Sequence, residues 1–439
     1  MKRNFQSLSL NMKYLIYLMI FCYSCSTTKQ NLPEVEIRKD GNSYNLFRNG
    51  EPYFIKGAVG LSFLERLENH GANSVRLWRN FGEGLDLASK HNLSVLISLP
   101  VRAERDGMDY DNPQMVVEQF EKIMEIVQSI KNHPALLMWA IGNELDYIPG
   151  TLPYKLSVWD AVNQIAKAIH EIDPDHPVMT VVGDSMFEKI RDLNKRAPDL
   201  DLLGLNMYGA MYKIPELLRE NGWEKPYVFT EWGVSGYWEV PKSSWKAPYE
   251  EHTSEKAELY KNKYENIILR EKENCLGSYV FLWGWKQETT HTWFGMIDQD
   301  GLESEAVGVM HEMWMGASPN NFAPRIDSLS IDNLPYLVDI ISEPGSIHKA
   351  AIVFTDPDSD QVEIKWEIRH EAIYAAYAGQ GEKTPELVEG LIKQNGKKEI
   401  IFSTPEPPGP YRIYVYMFDD QGHYATANKP FYSGNPVEY

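Results

Sequence analysis

The sequence predicts an α/β fold: a (β/α)8 TIM barrel followed by a small, Ig-like C-terminal β-sandwich. Three observations carry that expectation. Eight short apolar runs alternate with longer stretches of helical periodicity; a Pro- and Asn-bearing break falls near residue 317; and a tail of short strand-like runs follows, split by turn clusters. At 439 residues the chain is long enough for one barrel-sized domain and a smaller one.

Taken in order, residues 1–25 stand outside the fold. Lys2, Arg3 and Lys13 precede an apolar run from Tyr14 to Tyr23, which ends at Ser24-Cys25. A charged start and a short apolar core, too short for a comfortable transmembrane helix, read as an export signal. The end resembles a bacterial lipoprotein signal with Cys25 as the lipidated first residue of the mature chain, although Cys22 stands where Leu is usual. An ordinary cleaved signal or an uncleaved anchor is the alternative. The resemblance implies an exported protein held to a membrane through a lipid anchor, in the periplasm or on the cell surface of a Gram-negative bacterium. With Cys22 removed and Cys25 lipidated, only Cys275 remains, so no intramolecular disulfide is expected. Residues 26–35 are polar and aperiodic, as a tether would be.

The barrel is expected over residues 36–316, entered through hairpin turns at Asp40-Gly41 and Asn49-Gly50. Its candidate strands are 54–60, 74–80, 94–100, 136–144, 178–184, 202–209, 227–233 and 278–285. Helical stretches such as 113–133 and 255–273 lie between them. In 113–133, Val117, Phe120, Ile123, Met124, Val127 and Ile130 fall on one face. A doubly wound sheet also alternates β and α, but eight repeats and the lack of a G-x-G-x-x-G turn after the first strand favour the barrel. Residues 317–324 read as a linker, and 325–439 as the sandwich, with one helical stretch at 383–394. Such a domain either binds glycan or braces the barrel, and bracing is the favoured reading.

A net charge of −19 argues against a nucleic-acid partner, which requires a basic face. Twelve Trp and 25 Tyr suit stacking on sugar rings, but most aromatic residues in any protein fill core. No cofactor is expected, because export removes the chain from cytosolic NAD and ATP. No metal is expected either: the histidines lack paired-ligand spacing, and DPDSDQVE (356–363) lacks the Gly and terminal Glu of a calcium loop. The absence of a G-x-S-x-G elbow lowers an esterase reading.

In a TIM barrel, reactive groups gather at the C-terminal ends of the strands. Glu144 ends the fourth strand and Glu231 the seventh. Each alone is more often a salt-bridge partner. Together they are what glycoside hydrolysis needs, one carboxyl to protonate the leaving oxygen and one to attack the anomeric carbon or activate water.

WAIGNELD (139–146) and FTEWG (229–233) resemble the fourth- and seventh-strand signatures of clan A glycoside hydrolases, including families 2 and 5, and the similarity runs from about residue 48 to 316. The resemblance implies that Glu144 is the acid/base and Glu231 the nucleophile, with retention of anomeric configuration. It implies substrate-binding roles for Asn143 at the sugar 2-hydroxyl, Arg76 and Tyr208 beside the nucleophile, and Trp283 (Trp285 being the alternative) as a platform under the sugar. Leu145 stands where family 5 has Pro, and Asn206 where it has His. The order of signal, barrel and trailing sandwich resembles the bacterial endo-β-1,3-glucanases of glycoside hydrolase family 158. The expected activity is therefore retaining hydrolysis of a β-linked polysaccharide or oligosaccharide, with β-1,3-glucan first. The alternatives are a transglycosylase on the same scaffold and a non-catalytic glycan-binding lipoprotein. His291, Trp293 and Asp298, beyond the eighth strand, are candidates for subsites or for an ordinary loop.

Overall fold

The computed structural model describes residues 34–145, 154–183, 189–372 and 382–436. The lipidation candidate Cys25 and the signal lie outside the described residues. Eight parallel strands close into a barrel: Ile55–Val59, Ser74–Leu77, Ser94–Leu99, Leu136–Ile141, Val178–Val182, Leu202–Asn206, Tyr227–Trp232 and Cys275–Val280. The last pairs with the first, Gly277 opposite Ile55, and closure leaves no edge. Helices cover the outer face, so side chains on both faces of a strand are buried. Every residue of Leu136–Ile141 is fully inaccessible, which is why these strands read as unbroken apolar runs. Gly57 has no side chain because the Tyr279 ring fills that part of the interior; a Cβ there would lie 2.3 Å from it.

A three-stranded antiparallel sheet, Val35–Asp40, Ser43–Arg48 and Glu51–Pro52, turns at the two expected hairpins. Val35, expected in the tether, already begins its first strand. This sheet caps the N-terminal face: Val35 N donates to Asp175 O, Tyr44 N to Glu273 O and Arg48 Nη2 to Pro134 O, each acceptor just ahead of a barrel strand. The opposite, C-terminal face is left for a site.

The helix Pro113–Ile130 starts where Asn112 Oδ1 accepts from the N–H groups of Gln114 and Met115, with Pro at its first position. Ile123 and Val127 are buried and Phe120, Met124 and Ile130 half-buried. Val117, placed on the apolar face by its spacing, is 52% exposed. It lies in a groove toward Lys167 and Glu171 of the next helix, Ser157–Ile172. The stretch expected as helix over 255–273 is α-helical over Thr253–Lys263 and closes in a π turn, Tyr264–Ile268.

The tail folds as two sheets around Ile326, Leu329, Trp366, Ile368, Ile400, Phe402, Ile413, Val415 and Phe431. One contains Arg325–Ile331, Ile347–Thr355, Glu399–Ser403 and Ile392–Asn395. The other contains Glu363–His370, Gly409–Phe418 and His423–Ser433, with short pieces Ile341–Ser342 and Glu303–Ser304. Residues 383–394 are not helical. Leu387 bridges to Arg369, Ile392–Asn395 is a strand, and Gly390 takes a left-handed turn (φ 76°). The i, i+4 spacing of Val388 and Ile392 that looks helical instead sets both against the sandwich core. His423–Ser433 was not anticipated. Its sequence is half polar, yet almost all of it is buried: Ala425, Ala427 and Phe431 face the sandwich core, while Thr426 and Asn428 bond Thr253 and Glu250 of the barrel.

Among the described residues no helix is long and apolar enough to cross a membrane.

Candidate active site

Past the fourth strand the chain turns through Gly142 (φ 71°) and places Glu144 in the left-handed region (φ 48°), a conformation that costs a non-glycine residue about 1–3 kcal/mol and persists only where its surroundings impose it. They do: Glu144 N donates to Val181 O at 2.9 Å, and Arg105 donates to the carbonyls of Asn143 and Glu144. Gly183 leaves room for the carboxyl, since a Cβ there would lie 3.2 Å from Glu144 Cδ.

Glu231, at the end of the seventh strand, is 9% exposed. Its Oε1 accepts from Arg76 Nη1 at 2.9 Å and from Asn206 Nδ2 at 3.0 Å, and its Oε2 from the Tyr208 hydroxyl at 3.0 Å. Arg76, wholly buried on the second strand, also donates to Ser98 Oγ, Thr230 O, Asn206 Oδ1 and, at 2.7 Å, Asn143 Oδ1. Burial pushes the Glu231 carboxyl above the usual range, while Arg76, the Tyr208 hydroxyl and Lys286 pull it back. Tyr208 is held well above its ordinary pKa by burial and by Glu231, so it remains a donor.

The two carboxyls meet through Asn206. Its Nδ2 lies 2.7 Å from Glu144 Oε1 and 3.0 Å from Glu231 Oε1. Those two oxygens can therefore be no farther apart than the two lengths laid end to end. Nδ2 also reaches Asn143 Oδ1 at 3.0 Å. With its oxygen taken by Arg76 and Asn206, Asn143 has Nδ2 to offer a ligand.

Five of the six candidate residues, Glu144, Glu231, Arg76, Asn143 and Tyr208, thus share one hydrogen-bonded cluster. Trp283 does not. The eighth strand runs over Cys275–Val280, earlier than expected, so Trp283 and Trp285 lie beyond it and strand alternation does not orient them. Trp283 is 1% exposed, edge-on to His70 at 5.8 Å and tilted on Trp314 at 6.3 Å, with Nε1 toward Phe63 O. It is core. Trp285 is half-buried. The aromatic side chain that the strand end sends to the cluster is Phe281, edge-on to Tyr208 at 6.0 Å and under the Lys286 ammonium at 5.1 Å. Lys286 in turn pairs with buried Glu288.

Of the three candidates beyond the strand, His291 bonds Tyr416 of the sandwich, Trp293 is buried with Nε1 on Ser235 O, and Asp298 accepts from the N–H groups of Asp300 and Leu302 in a turn. In the acidic segment 356–363, Asp356 and Asp360 come together with Asp419, oxygens within 4.8 Å of one another. Asp356 caps Asp360 N and Asp419 binds the N–H groups of Gln421 and His423, the hydrogen bonds of two ordinary turns.

Asn206, Arg105, Phe281 and Lys286 entered no site prediction. For Asn206 a signal existed: it ends the sixth strand, Leu202–Asn206, at the C-terminal face where reactive groups gather, two residues before Tyr208.

The profile described as glycosyl hydrolases family 2, TIM barrel domain, matches residues 85–285. Among curated proteins, the chain is 24% identical over 276 residues to a β-glucuronidase of Paenibacillus borealis, covering 53% of this chain and 43% of that one. It is 26% identical over 241 residues to a β-glucuronidase of Streptococcus agalactiae serotype V, covering 47% and 38%. The chain thus spans less than half the length of these relatives. A solved Bifidobacterium dentium β-glucuronidase complexed with coumarin-3-O-glucuronide is 19% identical over 64% of this chain and 49% of its own, with a TM-score of 0.49. The profile match and the two curated relatives make the barrel family-2-like and support a clan A glycoside hydrolase.

Proposed function

We propose that the protein is a retaining β-glycosidase acting by double displacement. Glu231 attacks the anomeric carbon while Glu144 protonates the departing oxygen; Glu144 then takes a proton from the incoming water, which releases the sugar from Glu231. The observation that carries this reading is the single amide nitrogen of Asn206 bonded to both carboxyls. So short a bridge favours the roughly 5–5.5 Å of retaining pairs over the roughly 6.5–9.5 Å that an inverting enzyme needs for a water between them. Arg76 and Tyr208 favour the ionised form of Glu231 that attack requires, and Asn143 Nδ2 is the group for the sugar 2-hydroxyl.

For the substrate, β-1,3-glucan comes first, on the resemblance in domain order. A β-glucuronide is the second reading. It follows the two β-glucuronidase relatives, and Lys286, which opposes the rise in the Glu231 pKa and pairs with Glu288, would be the cation for a uronate carboxylate. The test is product release from laminarin, other β-glucans, β-mannans, β-galactans and an aryl β-glucuronide, with wild type beside Glu231→Ala. Oligosaccharides released by wild type alone support hydrolysis. Lengthened products point to a transglycosylase. Binding of a glycan with no turnover sinks the catalytic reading in favour of a capture protein. Lipid attachment at Cys25 is proposed from the leader alone, and its check is incorporation of labelled fatty acid that Cys25→Ser abolishes.

A further inference from the structure

We propose that Trp238 forms a second sugar-binding surface on the glycone side of the barrel mouth, so that the preferred substrate carries at least two sugars ahead of the cleaved bond. The proposal rests on the glycosidase reading and deepens it. Trp238 lies seven residues past Glu231, in the connection that leaves the seventh strand, and is 39% exposed. Its ring meets Tyr208 edge-on, centroids 5.5 Å apart at 87°, and Tyr208 is the residue whose hydroxyl binds Glu231 Oε2. The aromatic surface is therefore one ring away from the attacking carboxylate.

A single exposed aromatic residue needs no explanation in general. This one is held in place from three sides. Glu239 Oε2 accepts from Gly236 N at 2.8 Å and from Gly209 N at 2.7 Å, which ties the loop bearing Trp238 to the residue directly after Tyr208. The indole lies across the bare backbone of Gly236, where a Cβ would fall 2.4 Å from Trp238 Cε2. Tyr237 stands edge-on against it at 4.9 Å, and Phe294 is tilted toward it with centroids 6.5 Å apart. A large flat ring, fixed before any ligand arrives, binds without a further ordering cost, and an indole face suits the C–H face of a neutral pyranose.

The side follows from the barrel order. Glu144 protonates the departing oxygen from the fourth strand, so the leaving sugar lies toward that strand. Trp238 leaves the seventh strand and stands beside Tyr208 and Phe294, which follow the sixth and eighth, on the other side of the ring. A sugar on Trp238 is on the glycone side, next to the sugar that Glu231 attacks.

The experiment compares kcat/KM for aryl β-glycosides that share one leaving group and carry one or two sugars, beginning with p-nitrophenyl β-glucoside and p-nitrophenyl β-laminaribioside, or the equivalent pair for whichever glycan wild type cuts. Trp238→Ala should lower the two-sugar to one-sugar ratio about tenfold, the scale of one lost aromatic contact. Trp238→Phe should recover part of it, and Gly236→Ala, which displaces the ring, should lower it as Trp238→Ala does. An equal loss on both substrates would mean that the ring only steadies Tyr208, and no change in ratio would mean no second surface; either overturns the proposal. Calorimetric binding of laminaritetraose to Glu231→Gln, with and without Trp238→Ala, separates this failure from that of the reading beneath it. Turnover by wild type with binding indifferent to Trp238 removes the second surface alone. Neither turnover nor binding of any glycan removes both.

Discussion

At Asn206 one side-chain amide nitrogen, with two hydrogens, is crowded by three acceptors: Glu144 Oε1, Glu231 Oε1 and Asn143 Oδ1. Its oxygen is meanwhile taken by Arg76 and Thr230. Asn206→Ala should leave the fold standing but lower kcat by about 10²-fold, the scale on which one preorganised donor at a reacting oxygen counts; steady-state kinetics beside a circular-dichroism melt would check it, and unchanged kcat would remove Asn206 from the machinery. Arg76 makes a sharper case because its effect has a sign. Burial already raises the Glu231 pKa and Arg76 opposes it, so Arg76→Met should raise it further. Attack requires ionised Glu231, and activity on the acid side is lost as pH falls through that pKa; the acid limb of kcat/KM should therefore move to higher pH in the variant. An unmoved limb would mean that another group sets it. The two carboxylates were legible in the sequence because each closes an apolar run, Glu231 within its strand and Glu144 three residues past its own, a local pattern. The strand-end place of Asn206 was legible too, but its bridging role and that of Arg105 were not, because the groups they bond lie 25 to 62 residues away, and Lys286 acts on Glu231 from another connection.

Elements show the same division between local and non-local information. The barrel strands could be read because burial on both faces leaves continuous apolar runs. The eighth was read three residues late, since Phe281, Trp283 and Trp285 prolong the apolar run after pairing with the first strand has stopped at Val280. That shift moved an aromatic residue from the core to the site on paper. Trp283→Ala should accordingly open a cavity beside Trp314 and His70 and cost about 3–5 kcal/mol of stability, with kcat of the folded fraction held. Phe281→Ala should act on kcat instead. Denaturant melts and kinetics on both variants decide between the two placements, and a kcat loss confined to Trp283→Ala would restore the platform reading. Helix starts were legible where the cap is local. Asn112→Ala should cost about 1 kcal/mol in a denaturant melt and nothing in activity. The strand His423–Ser433 stayed hidden because its polar residues are satisfied by groups far back in the chain, Asn428 by Glu250 and Thr426 by Thr253.

Across the whole molecule, the barrel and the sandwich meet on a buried polar seam, which is where the bracing expectation for the trailing domain can be tested. Glu250, 1% exposed, accepts from Lys256, Thr290 and Thr292 of the barrel and, at 2.7 Å, from Asn428 of the sandwich. Arg412, wholly buried in the sandwich, donates to Pro248 O of the barrel at 2.8 Å and pairs with Glu371. His291, from the connection that also carries Phe281 and Lys286, bonds the Tyr416 hydroxyl at 2.6 Å. A seam of this kind couples two domains because neither can leave without stranding charges that are expensive to bury unpaired. Wild type should unfold in one calorimetric transition. Glu250→Ala, which leaves Lys256 buried without its partner, should lose about 3–5 kcal/mol and split the transition in two. The seam should also respond to acid. Burial alone would raise the Glu250 pKa, but Lys256 and the hydroxyl donors outweigh it and hold the folded-state value below the ordinary one. A carboxyl depressed by folding contributes stability that is complete above its unfolded pKa, about 4.3, and is lost as pH falls through the lower folded value. Wild type should therefore lose stability on acidification below about pH 4 more steeply than Glu250→Ala does. Two transitions in wild type at neutral pH, or parallel acid profiles for the two proteins, would show that the sandwich is only appended to the barrel.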